Sequence, residues 1–199
     1  MTPLRPLASP WIPHPALGDT SMFAVTSERP NEIRCSTHKN VGIVCYPVDV
    51  PLGDDVTVEW SWQVDALPSA VREDSIPTHD YLSVAVEFDD GHDLTWMWST
   101  ELDIGTAFTC PLPWWDERET HLVIRSGTAG LGVWHHERRH VARDIATALP
   151  MRSPERIVAL WLIANSILQQ GSGECRYRDI ALVGHHGRTP VLPEAERSA

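Results

Sequence analysis

The chain has 199 residues, enough for one domain or at most one and a half, and its hydrophobic (42%) and charged (22%) fractions are those of a folded globular protein. Sixteen Lys and Arg against 27 Asp and Glu leave a formal net charge of −11, which repels phosphate backbones and sets nucleic acid aside as a partner. No run approaches ~18 consecutive apolar residues, so a membrane partner is set aside as well.

Prolines interrupt every apolar stretch of the opening MTPLRPLASPWIPHP. No secretory h-region is read there, and the expected compartment is the cytoplasm. Cys35, Cys45, Cys110 and Cys175 form no CxxC pair and fit no zinc spacing. In a reducing compartment they read as small buried hydrophobes.

Residues 1–20 are rich in proline and read as an extended N-terminal arm. Two short segments, 23–25 and 41–46, are sized for strands. The clearest strand follows: Val56, Val58, Trp60, Trp62 and Val64 alternate with Thr57, Glu59, Ser61, Gln63 and Asp65. That period of two predicts one buried face. Residues 69–80 read as a loop. Tyr81 to Phe88 is predicted as a strand with Leu82, Val84, Val86 and Phe88 inward. Asp89-Asp90-Gly91-His92 is a hairpin signal. Leu94, Trp96 and Trp98 then alternate again.

Residues 101–118 read as irregular, with Pro111 and Pro113 beside Trp114-Trp115. His121 to Arg125 is a predicted strand, and Ser126 to Gly132 a Gly-rich turn. The stretch from His140 to Ile145 is readable as a helix closed by Leu149-Pro150. Ile157 to Ala164, eight apolar residues, fits a strand buried on both faces, with a buried helix as the competing reading. Cys175 to Val183 is the last strand, with Cys175, Tyr177, Asp179 and Ala181 on one face. Together these elements predict an all-β fold: an antiparallel β-sandwich of jelly-roll type with few short helices. The domain is expected over 21–184, with 185–199 as a flexible tail.

The order of motifs resembles an uncharacterised bacterial family, domain of unknown function 3047. Val58-Glu59-Trp60-Ser61-Trp62, Asp80-Tyr81 with Val84 to Phe88, and Leu94 to Trp98 follow in the family's order. Trp134, Glu137, Arg139, Val141 and Asp144 match its W-x-x-E-x-R-x-V-x-x-D signature, and Tyr177-Arg178-Asp179-Ile180 resembles its closing strand. The resemblance covers roughly 55–183. It implies a sandwich related in shape to carbohydrate-binding modules and no established activity. The chain departs from the pattern in lacking an export signal, in carrying His79 where the family has a second acid, and in having Asn165-Ser166 in place of an Asp-rich segment.

Trp60, Trp62, Trp96 and Trp98 sit at i, i+2 spacing on two strands and would form one aromatic wall. That wall is either the sandwich core or the lining of an apolar or sugar-stacking pocket. Trp114 and Trp115 would form a rim or lid. Asp80, Glu137 and Asp179 are the candidate acids, since a carboxyl inside an apolar pocket can donate a proton near neutral pH. Tyr81 and Tyr177 would position substrate. The alternative for these carboxylates is a set of structural ion pairs. His135-His136 and His140 with Glu137 lack the H-E-x-x-H order, and no metal ligand is assigned. No nucleotide or redox motif is present, so no cofactor is expected.

Two functions are expected. One is a cofactor-independent cyclase or isomerase that closes an apolar intermediate of specialised metabolism in a Trp-lined cavity. The other is a non-catalytic carbohydrate-binding module. The partner in either case is a small molecule, and a homodimer is the one assembly held open.

Overall fold

The computed structural model describes residues 4–192 apart from 16, 18, 27 and 186. In chain order the strands are β1 (Leu4–Pro6), β2 (Ile12–Pro13), β3 (Phe23–Thr26), β4 (Glu32–His38), β5 (Val41–Pro51), β6 (Thr57–Ala66) and β7 (Tyr81–Phe88). They continue with β8 (Asp93–Ser99), β9 (Ala107–Thr109), β10 (Glu119–Ser126), β11 (His135–His140), β12 (Arg156–Asn165), β13 (Ser172–Gly184) and β14 (Gly187–Pro190). Among the described residues one α-helix, α1 (Val141–Ala148), and one 3-10 turn at Ile76–Thr78 accompany them. No helix among the described residues is long and apolar enough to cross a membrane.

The strands form two stacked sheets, an all-β sandwich of jelly-roll type. Sheet I has the order β1-β3-β4-β13-β6-β11, with β14 also on β13; sheet II has the order β2-β5-β12-β7-β8-β10-β9. Every pairing is antiparallel except β8 with β10, where the long 100–118 excursion returns the chain in the same direction. Gly91, at φ +82, makes the tight β7–β8 reversal that the Asp-Asp-Gly signal predicts.

The period of two is realised on each central strand. Trp60, Trp62, Leu82, Val84, Leu94, Trp96, Leu160 and Leu162 point between the sheets and are fully buried. The predicted strand 157–164 lies in β12 and is buried on both faces, because His14, Leu17 and the 100–118 segment cover the far side of sheet II.

Several segments differ from expectation. Residues 32–38 form β4, and the Pro-rich N-terminus adds β1 to the edge of sheet I and β2 to the edge of sheet II, with Trp11 buried edge-on against Tyr46. Proline lacks the ladder donor, so edges are where such residues pair. At the other end β14 pairs with β13, and Val191 and Leu192 are buried, so the chain is held through residue 192; residues 193–199 lie outside the described residues. His135–His140 is a strand on β6, and only the residues from Val141 are helical.

Candidate functional site

The four tryptophans are the filling of the sandwich. Trp60, Trp62, Trp96 and Trp98 are at most 1% exposed, and their rings touch in series: Trp60 to Trp62 at 5.9 Å, Trp60 to Trp96 at 5.6 Å and Trp62 to Trp98 at 5.6 Å between centroids. Tyr177 closes on Trp62 at 6.4 Å and is equally buried. Rings in mutual edge and tilted contact form a core, with no hollow between them for a guest. The expected Trp-lined cavity is corrected accordingly.

The signature acids serve that core. Trp62 Nε1 donates to Glu137 Oε1 at 3.0 Å, and Arg125 binds the same oxygen. Trp96 Nε1 donates to Asp144 Oδ2 at 2.8 Å, and Arg139 grips Asp144 with two bonds of 2.8 and 2.6 Å. A buried indole N–H needs an acceptor, and a charged one is worth about 1.5–3 kcal/mol. In this chain Glu137 and Asp144 of the signature thus accept from buried indoles, and Arg139 holds Asp144 in place.

The other two candidate acids are also engaged. Asp80 is fully buried and accepts the backbone N–H groups of Leu168 (3.0 Å) and Gln169 (2.7 Å), which fixes the turn after β12. Asp179 leaves the core face it was expected to share with Tyr177. Its φ of +56 and the register shift between Arg178 and Ala181 turn it outward, where Ser61 Oγ donates to it at 3.3 Å. The structure does not bring Asp80, Glu137 and Asp179 together around one point.

Two outer faces carry the chemistry instead. On sheet I the residues that alternate with the core indoles point to the outer face: Asp65 on β6 and Arg34 on β4 are exposed, Glu59 on β6 and Arg176 and Arg178 on β13 are half-buried, and Ser61 and Gln63 on β6 are buried beneath their neighbours. A groove of about 510 Å³ lies on this face. Its charged lining is three arginines (Arg29, Arg34, Arg176) and four carboxylates (Glu28, Glu32, Asp65, Glu174). Arg34 pairs with Glu174 at 3.7 Å, Arg176 with Asp65 at 3.6 Å and Arg29 with Glu32 at 3.5 Å. Trp134, half-buried, borders the groove through Arg176; the Arg178 guanidinium lies 3.9 Å from its ring centroid and that of Arg176 5.6 Å.

On sheet II the outer face is covered. Leu17, Phe108 and Trp115 pack on Tyr81, Met97, Val123 and Trp161. Trp115 meets Trp161 edge-on at 6.3 Å, with Arg118 over both rings. Its neighbour Trp114 is 89% exposed at φ +78, so of the expected lid pair only Trp115 touches the sheet. Beneath this cover lies a buried polar centre. Tyr81 Oη donates to Glu119 Oε1 at 3.1 Å and Thr95 Oγ1 to the same oxygen at 2.9 Å. His79 Nδ1 sits 2.6 Å from the Glu73 carbonyl, and its Nε2 is 3.4 Å from Cys110 Sγ. His121 is fully buried and stacked on Phe108, and neither ring nitrogen has a hydrogen bond among the described residues. Glu119 Oε1 is 3.5 Å from its Nε2.

Burial dominates the electrostatics here. It lowers His121 to about 3, and with the neighbouring His121 it lowers His79 to about 4. It raises the Glu119 carboxyl, the Tyr81 phenol and the Cys110 thiol. Burial, then the Glu119 charge in the next strand, pushes Asp93 well above the usual carboxylate range. Each orphaned buried polar group costs about 1–3 kcal/mol. Shifted groups of this kind cluster at functional sites and also in buried structural networks.

Of the predicted residues, only Tyr81 and Trp115 belong to this centre. His79 was noted as replacing an acid, and Cys110 was read as a small hydrophobe. Glu119 and His121 were missed, although E-x-H at i, i+2 on a strand puts both on one face.

These elements define a jelly-roll β-sandwich with one open and one covered outer face. The chain belongs to the family "Protein of unknown function (DUF3047)", whose profile matches residues 10–181. A search of curated protein sequences gave no match. Among solved structures it is similar to the xyloglucanase domain of NopAA, a type three effector from Sinorhizobium fredii, in complex with cellobiose. That similarity has a TM-score of 0.49 and 8% identity over 87% of this chain and 93% of the other. A meso-active thermo-stable cellulase derived from the Cel12A cellulase of Rhodothermus marinus gives a TM-score of 0.45 and 13% identity, over 81% and 84%. The agarase AgWH50C gives 0.32 and 10%, over 76% of this chain and 21% of that one.

Proposed function

We propose that this protein is a non-catalytic carbohydrate-binding β-sandwich whose binding face is the outer face of sheet I. The observation that carries the reading is the groove of about 510 Å³ with its nearly balanced charged lining. The size suits one or a few sugar rings. Three arginines interleaved with four carboxylates favour neither an anion nor a cation. They offer donors and acceptors side by side, which is what a neutral polyhydroxyl compound needs. Trp134 adds an apolar border of the kind that sugar rings pack against.

The cyclisation reading has lost its support, because the indoles that were to enclose an apolar guest are packed on one another. Isothermal titration calorimetry against a panel of neutral oligosaccharides, cellobiose included, tests the proposal. One member is expected to bind. Asp65→Ala and Arg176→Ala are each expected to weaken that binding roughly tenfold, the effect of a lost charge-assisted hydrogen bond. Trp114→Ala, in the loop beside sheet II, is expected to leave it unchanged. A panel without a binder, or a binder indifferent to both groove substitutions, overturns the reading.

A further inference from the structure

We propose that His79, Cys110 and His121 hold one transition-metal ion, zinc in first place, with Glu119 as the fourth ligand. The Nε2, Sγ and imidazole donor atoms of the first three all lie within 4.8 Å of one another. Cys110 Sγ and His79 Nε2 are 3.4 Å apart, close to the separation of two donors that share a tetrahedral ion at about 2.0–2.3 Å from each. The Glu73 carbonyl, 2.6 Å from His79 Nδ1, accepts from that nitrogen and leaves the Nε2 lone pair facing the cluster. This is the outer-shell contact that orients metal-bound histidines.

His121 supplies the independent observation. It is fully buried, and neither ring nitrogen makes a hydrogen bond among the described residues. An imidazole that far from water normally has a partner. A metal ion at the cluster gives it one. Glu119 lies 3.5 Å from the His121 Nε2 on the same strand, its Oε1 held by Tyr81 and Thr95, and is the carboxylate placed to complete the set of three.

Charge and donor type select the ion. A thiolate and a carboxylate with two neutral imidazoles balance a divalent cation, so the filled site is neutral where unmatched charge is costly. Sulfur and nitrogen donors suit zinc and disfavour calcium and magnesium. Four protein donors make a closed, structural site. The ligands come from separate pieces of chain: His79 ends the loop before β7, Cys110 follows β9, and Glu119 and His121 lie on β10. The Cys110 N–H donates to the Glu119 carbonyl at 2.9 Å, which sets those two side by side. The ion therefore ties both long loops to sheet II. This assignment is independent of glycan binding on the opposite sheet.

The test is cobalt titration of the tag-free full-length chain after chelator dialysis. One equivalent of Co²⁺ is expected to give tetrahedral visible bands and a thiolate-to-cobalt charge-transfer band, both removed by Zn²⁺. Cys110→Ser is expected to abolish the charge-transfer band, and His121→Ala to weaken cobalt binding at least tenfold. Cys45→Ser, a buried cysteine outside the cluster, is expected to keep both signals. If Cys110→Ser fails to fold, the wild-type spectrum still decides. A spectrum without a thiolate band, or one that survives Cys110→Ser in folded protein, overturns the site.

Discussion

The two outer faces of this sandwich carry polar side chains of similar kinds and treat them oppositely. On sheet I, Arg34 and Glu174 are each about half exposed and face each other at 3.7 Å. Water and the neighbouring charge satisfy both, so the surface is stable without a ligand and accepts one by exchange. On sheet II, His121 is 0% and Glu119 3% exposed under the 100–118 cover. Water is gone and the donors and acceptors do not balance, since His121 keeps two unbonded nitrogens and Asp93 one unbonded oxygen. An open polar face is a place where binding is optional. A covered polar face with leftover groups is one where something is owed a partner.

The contrast makes its largest prediction at Glu119. Glu119→Ala removes the acceptor of both Tyr81 and Thr95 in a dry setting. With two buried hydroxyls orphaned, the expected loss is about 3 kcal/mol in urea unfolding with chelator present. Glu119→Gln keeps an acceptor oxygen and is expected to cost less than half as much. A loss under about 1 kcal/mol for the alanine variant would place this face in water and erase the contrast.

The sandwich was legible because β6, β7 and β8 repeat with period two and their inward residues are large and apolar. β4 alternates as well, but of its inward residues Ile33, Cys35 and Thr37 only Ile33 is large and apolar, Cys35 being small and Thr37 polar. β1 and β2 were illegible because proline argues against pairing, and only the presence of a sheet edge overrides that. The outward residues of β8, Asp93, Thr95 and Ser99, looked like a solvent side. Nothing local says that the irregular 100–118 segment will fold back over them. The candidate metal ligands suffered from the same blindness: their convergence is set by which strands neighbour β10, not by spacing. The family signature misled in the other direction. Its acids looked chemical, and they are the acceptors for buried indoles.

A middle-sized effect is expected at the cover itself. Trp115 packs on Trp161 and carries Arg118 over its ring, whereas Trp114 projects into solvent. Trp115→Ala is expected to cost about 2 kcal/mol, less than a fully buried tryptophan because part of its ring is already wet. It should also speed amide exchange in β12, whose Trp161 lies beneath it. Trp114→Ala is expected to change stability by no more than about 0.5 kcal/mol. Equal costs at the two positions would mean that the loop does not seal the sheet.

The smallest effect belongs to the open face. A double-mutant cycle on Arg34 and Glu174 isolates their coupling from whatever else each side chain touches. Both are exposed, the pair is 3.7 Å apart, and holding two long side chains in one geometry opposes the Coulomb gain. The expected coupling is below about 1 kcal/mol at low salt, and it should fall as ionic strength shortens the screening length. A coupling of several kcal/mol that ignores salt would mean that the groove is already dry. Its arginines would then be committed to one another, and a sugar hydroxyl could not displace them.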